Sequence, residues 1–85
     1  MARILYFGHL PDLVGRPSDD FFLPKTVRTV RDLLAYLRQR GEEWEKGLQE
    51  DWVTITVNRE FVELDHPVTD RDEIAIVSKG LGRVR

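Results

Sequence analysis

The apolar residues of this chain fall into three patterns, and each predicts an element. In Arg3 to Gly8, Ile4 and Tyr6 point to one side and Leu5 and Phe7 to the other. Both faces are apolar, which predicts a strand buried on both sides near the centre of a sheet. Glu73 to Ser78 repeats this with Ile74, Ala75, Ile76 and Val77, and predicts a second central strand. Trp52 to Asn58 alternates instead: Val53, Ile55 and Val57 oppose Trp52, Thr54 and Thr56, as in a strand with one buried face. Val30, Leu33, Leu34 and Leu37 form the i, i+3, i+4, i+7 stripe of an amphipathic helix. Thr29 and Asp32 fit a capping box at its start, and Gly41 is expected to supply a left-handed stop.

Weaker signals fill the gaps. Asp20 to Leu23 reads as a short edge strand, because Pro24 cannot donate to a ladder. His9 to Val14 reads as a turn of helix or a loop, and Glu42 to Leu48 as a second short helix carrying Trp44 and Leu48. Asn58-Arg59-Glu60 turns the chain into a return strand, Phe61 to Leu64. Further turns are expected at Asp65-His66-Pro67 and Thr69 to Asp72. The sum is an α+β roll: a mixed sheet of about five strands on one main helix, with the chain's two end strands parallel at its centre. With 85 residues, no repeat and no linker, one domain over 1–78 is expected, followed by a flexible basic C-terminal tail over 79–85.

Charge and composition narrow the chemistry. Formal net charge is -2, which argues against a nucleic-acid partner. Lys79, Arg83 and Arg85 have no acid after Glu73, so a basic tail follows an acidic body. The absence of cysteine removes disulfides, thiolate metal sites and a thiol nucleophile, and fits a reducing compartment such as the cytoplasm. No apolar run approaches a membrane span, and the start lacks the apolar core of a signal peptide. His9 and His66 alone make no metal site, and the acidic turn Asp70, Asp72, Glu73 lacks the spacing of a calcium loop. Phosphate-binding and nucleophile-elbow motifs are absent, and no helix follows Gly80-Leu81-Gly82 to make it an anion site. Neither a cofactor nor a self-contained active site is expected.

An ordered set of segments nevertheless resembles a known group. These are Ile4-Leu5-Tyr6-Phe7-Gly8, Leu13-Val14-Gly15, Thr29-Val30-Arg31-Asp32-Leu33, Trp44, Val57-Asn58, Asp65 to Asp70 and Asp72-Glu73-Ile74-Ala75. From Ala2 to about Val77 the chain resembles the MoaD/ThiS group of ubiquitin-like sulfur carriers. Arg40 to Asp51, with Trp44, is similar to the longer MoaD helix region. The resemblance implies a β-grasp fold and a role as the small subunit of molybdopterin synthase in molybdenum cofactor biosynthesis. Members of the group end in Pro-Pro-x-x-Gly-Gly. The resemblance implies that a MoeB-like activating enzyme adenylates the last glycine and that sulfur replaces the adenylate. The thiocarboxylate then enters a MoaE-like large subunit, which holds the acid–base groups and the phosphate pocket.

The tail departs from that pattern. Ser78 and Lys79 stand where the prolines would, Gly82 matches the penultimate glycine and Arg83 stands at the last, with Val84 and Arg85 beyond. Its positive charge would meet a cationic phosphate pocket unfavourably. Two readings follow. Proteolysis after Gly82 would expose a carboxylate, making Gly82 the candidate thiocarboxylate behind Gly80 and Leu81. Alternatively, the chain is a divergent β-grasp interaction module that does not carry sulfur. In either case the resemblance implies a partner surface at Phe61 and Val77 that continues through Ser78, Lys79, Gly80 and Leu81. Arg71 stands where the group usually has glycine, which costs roughly 1 kcal/mol if that turn needs φ > 0.

Overall fold

The computed structural model describes residues 1–79. The elements are β1 (Ala2–Phe7), α1 (Leu10–Val14), β2 (Ser18–Phe21), α2 (Val30–Arg38), α3 (Glu42–Gly47), a 3₁₀ turn (Glu50–Trp52), β3 (Val53–Val57), β4 (Glu60–Phe61) and β5 (Glu73–Ser78). One sheet has the order β2-β1-β5-β3-β4. The parallel pair β1 and β5 is bounded by antiparallel partners, β2 on one side and β3 on the other. The α+β roll and its two central end strands are therefore as expected. So is the edge position of β2, although it starts two residues early, at Ser18.

The core lies between one face of the sheet and the helices. Ile4, Tyr6, Ile74, Ile76, Val53, Ile55 and Val57 are buried from the sheet side. Val30, Leu33, Leu34 and Leu37 of α2 meet them, each fully buried. Burial of each such side chain contributes roughly 2 kcal/mol. The capping box forms as the sequence reads: the Asp32 N–H donates to Thr29 Oγ1 at 3.2 Å, and the Thr29 N–H donates to Asp32 Oδ2 at 3.2 Å. Two more amides of the first turn would otherwise lack partners. Val30 N–H donates to the His66 carbonyl at 3.0 Å and Arg31 N–H to the Leu64 carbonyl at 2.8 Å. The Asp65-His66-Pro67 segment thus clamps the start of α2, and His66 acts there through its backbone.

The structure corrects five readings. β1 and β5 are central in the sheet but not buried on both faces: Phe7 is 47% exposed, and Leu5, Ala75 and Val77 are half-buried. The helices cover only one face. Gly41 is not a left-handed stop. α2 ends at Gln39 in right-handed backbone, and Gly41 caps α3 by accepting from the Glu45 N–H at 3.0 Å. The return strand is shorter, with only Glu60 and Phe61 pairing before the chain leaves β3, and Trp52 belongs to the 3₁₀ turn rather than to β3. Arg71 carries no backbone penalty, because the non-glycine residues at positive φ are Asn58 (51°) and Arg59 (73°), the two corner residues of the β3–β4 hairpin.

One polar cluster was not expected. Asp19 of β2 accepts from Tyr6 Oη at 2.8 Å, Arg16 at 2.6 Å and Arg40 at 2.8 Å. The Arg40 guanidinium also lies 4.7 Å from the Trp44 ring and 5.2 Å from the Phe21 ring, which ties the α2–α3 junction to the β1–β2 edge. Burial opposes ionisation of Asp19, but the hydrogen bonds from Arg40, Tyr6 and Arg16 outweigh it and hold the carboxyl below the usual range. Burial, reinforced by the Asp19 carboxylate, keeps the Tyr6 hydroxyl protonated far above the ordinary phenol range. Asp19→Asn is expected to cost about 2 kcal/mol at neutral pH, because it removes charge-assisted bonds. A folded-state pKa below the unfolded one stabilises above about pH 4 and is lost as pH falls through the folded value. Urea unfolding of the variant should therefore approach the parent curve as pH is lowered from 5 to 2. A constant gap over that range would contradict the role given to the Asp19 charge.

Candidate functional site: the uncovered sheet face and the chain exit

The face of the sheet that the helices leave bare is organised in rows by strand register. Phe7 pairs with Val77 and Val77 with Thr54. In the next row Leu5 pairs with Ala75, Ala75 with Thr56 and Thr56 with Phe61. Because side chains alternate along each strand, these residues share one face, opposite the buried Ile4, Ile76 and Ile55. Phe61 is 78% exposed, which suits an aromatic on a two-residue edge strand. A third row is charged, with Arg3 bonded to Asp20 at 3.1 Å and Arg59 facing Glu73 at 3.9 Å. An apolar stripe with a polar border is the layout of a protein–protein contact.

The stripe lies where the last strand ends. β1 and β5 run in parallel, so Phe7 and Val77 sit together at the C-terminal end of both. Ser78 is pinned there by the turn that follows β1. Gly8 has φ 73°, and a Cβ on it would collide with Ser78 Oγ. Ser78 Oγ accepts from the His9 N–H at 2.8 Å. The Lys79 N–H donates to the Trp52 carbonyl at 2.8 Å, a bond that proline at this position could not make. Where prolines would stiffen the exit by fixing φ, this chain uses hydrogen bonds from both flanking segments.

Of the residues singled out from the sequence, the structure brings Phe61, Val77, Ser78 and Lys79 to this face and its exit. Gly80, Leu81 and Gly82, with the rest of the tail beyond Lys79, lie outside the described residues. Sequence reading missed Phe7 and Trp52, the latter 44% exposed. Phe7 looked buried because its strand is apolar on both sides. A usable signal was present: only one predicted helix was long enough to cover a sheet, so only one face could be covered. Among the described residues no group of three His, Cys, Asp or Glu could hold a metal ion, and no helix is long and apolar enough to cross a membrane.

A mixed five-stranded sheet with parallel end strands at its centre and one main helix across one face defines a ubiquitin-like β-grasp domain, here with an apolar face beside its C-terminal exit. The chain belongs to the ThiS family, whose pattern matches residues 4–79. It is 29% identical over 75 residues to the molybdopterin synthase sulfur carrier subunit of Escherichia coli, covering 88% of this chain and 90% of that one. It is 30% identical over 79 residues to the subunit of the same name from Haemophilus influenzae, with the same coverage. Among solved structures, a Pyrococcus furiosus protein described as a candidate subunit 1 of molybdopterin converting factor superposes with TM-score 0.74 at 28% identity, covering 93% of this chain and 97% of that one. SAMP1 from Haloferax volcanii superposes with TM-score 0.75 at 20% identity, covering 95% and 97%, and supports the fold.

Proposed function

We propose that this chain is the sulfur-carrier subunit of a molybdopterin synthase, docking through its bare sheet face on a MoaE-like large subunit. The observation that carries this reading is the position of the apolar stripe beside the anchored exit at Ser78 and Lys79. A partner seated on Phe7, Val77 and Phe61 would receive the residues after Lys79 directly. The relatives named as sulfur carrier subunits support the assignment over nearly the whole chain. The chain contributes a covalent handle, and the large subunit contributes the acid–base groups. The reading carries a cytoplasmic location with it.

Carriage sets a chemical requirement. Adenylation needs a free carboxylate, and Gly82 is joined to Arg83 by a peptide bond. Hydrolysis of that bond must precede activation by a MoeB-like enzyme. The same residue order favours a second reading, a β-grasp module that binds the large subunit without carrying sulfur. Both readings require docking. Co-expression with the large subunit of the same organism should give one co-eluting complex on gel filtration, and separate elution of two folded proteins would overturn both.

A further inference from the structure

One exposed aromatic beside the chain exit has no partner within the fold. Trp52 is 44% exposed. Among the described residues its ring meets no other aromatic ring and no cation, whereas Trp44 packs edge-on against Tyr6 and lies under Arg40. The backbone that carries Trp52 is nevertheless held from both sides. Its N–H donates to the Gln49 carbonyl at 2.9 Å, and its carbonyl accepts from the Lys79 N–H at 2.8 Å. That second bond extends the β3–β5 ladder one residue beyond the pair Val53 and Ser78. Val53 is turned into the core, so alternation along the ladder puts Trp52 and Lys79 on the bare face, in the row next to Thr54, Val77 and Phe7. Phe61 stands two rows away, at the β4 edge.

We propose that Trp52 and Lys79 form a second contact of the docking face, one that selects a large subunit offering an apolar recess for the indole and a carboxylate for the ammonium group. The proposal rests on the docking reading above and names what the partner must present at the chain exit. Tryptophan is enriched among the residues that dominate binding energy, and an indole on a backbone fixed before binding loses little freedom when it is covered. Lys79 is exposed and has no ion pair among the described residues. Glu50 and Glu63 line a cleft with it, but neither lies within ion-pair distance, and Glu50 faces Arg31 at 3.5 Å instead. A free cation beside an apolar ring fits an acidic lip and disfavours a basic one, which makes the pair a selector between partners.

The test uses the full chain and the large subunit of the same organism. Fluorotryptophan labelling gives one fluorine NMR signal for Trp44 and one for Trp52, assigned with Trp52→Phe, and the shift between light and heavy water reports exposure of each. Saturation with the large subunit is expected to abolish that shift for Trp52 and to leave it unchanged for Trp44. By calorimetry Trp52→Ala should bind about tenfold more weakly or worse. Lys79→Glu should lose about fivefold at low salt, with the loss shrinking as salt rises. Both variants should unfold within a few degrees of the parent. A Trp52 signal that stays exposed in the complex, or parent affinity in Trp52→Ala, would overturn the proposal and leave docking through Phe61 standing. Lys79→Glu that lowers the melting temperature but not the affinity would overturn the pairing with a partner carboxylate. A parent chain that does not bind would overturn the docking reading and this contact together.

Discussion

Phe61→Asp is expected to weaken binding of the large subunit at least a hundredfold while thermal unfolding stays cooperative and within a few degrees of the parent. The side chain is 78% exposed on a two-residue edge strand, so a carboxylate there has water around it in the free chain. In the complex the same carboxylate would be buried against apolar surface with no counter-charge, at a cost of several kcal/mol. Phe7→Asp, one row away beside Val77, should act in the same direction. Glu43→Lys changes charge on exposed α3, on the helix side of the sheet, and should leave affinity unchanged. Titration calorimetry of the three variants decides the matter: undiminished binding by Phe61→Asp removes that residue from the interface.

Gly8→Ala is expected to destabilise the fold by about 2–3 kcal/mol. Left-handed backbone at φ 73° costs an L-residue roughly 1–2 kcal/mol. The new methyl also displaces Ser78 Oγ, breaking its bond from the His9 N–H, for about 1 kcal/mol more. For a domain of this size the melting temperature should drop by roughly 10–20 °C. A double-mutant cycle isolates the contact. Ser78→Ala removes the hydroxyl that the methyl meets, so the two substitutions together should cost clearly less than their sum. Strict additivity would mean that Gly8 matters only for its own backbone. Because Gly8 and Ser78 set the direction in which the chain leaves β5, Gly8→Ala should also weaken large-subunit binding.

What the sequence made legible was local or strictly periodic. Thr29 and Asp32 announce the start of α2 because both halves of the capping box lie within one turn, and Val53, Ile55 and Val57 announce their strand through period-two alternation. The solvent exposure of Phe7 was hidden because it depends on how many helices the chain has to lay over the sheet, not on β1 itself. Gly41 misled for a similar reason: a glycine after a helix suits a left-handed stop, yet α2 had already ended two residues earlier and the next helix took the glycine as its cap. Asp19 bonds to residues as far as 21 positions away in the chain, which no spacing rule connects. Asn58 and Asp72 belong to the motifs that carried the family resemblance, and the structure gives them a structural role. Asn58 Nδ2 donates to Asp72 Oδ1 at 2.9 Å, Asn58 Oδ1 accepts from the Glu73 N–H at 3.0 Å, and Asp72 Oδ2 accepts from the Thr69 N–H at 2.7 Å. Those residues brace the entry to β5 and so hold the strand that delivers the tail.

Carriage of sulfur on Gly82 is read from the intact mass of the chain isolated from its native cell. The expected species ends at Gly82 and carries the mass gain of one oxygen-to-sulfur exchange. Chain still extending through Arg85 and unmodified, both as isolated and after incubation with the native activating enzyme, ATP and a sulfur donor, would contradict carriage and leave the binding module.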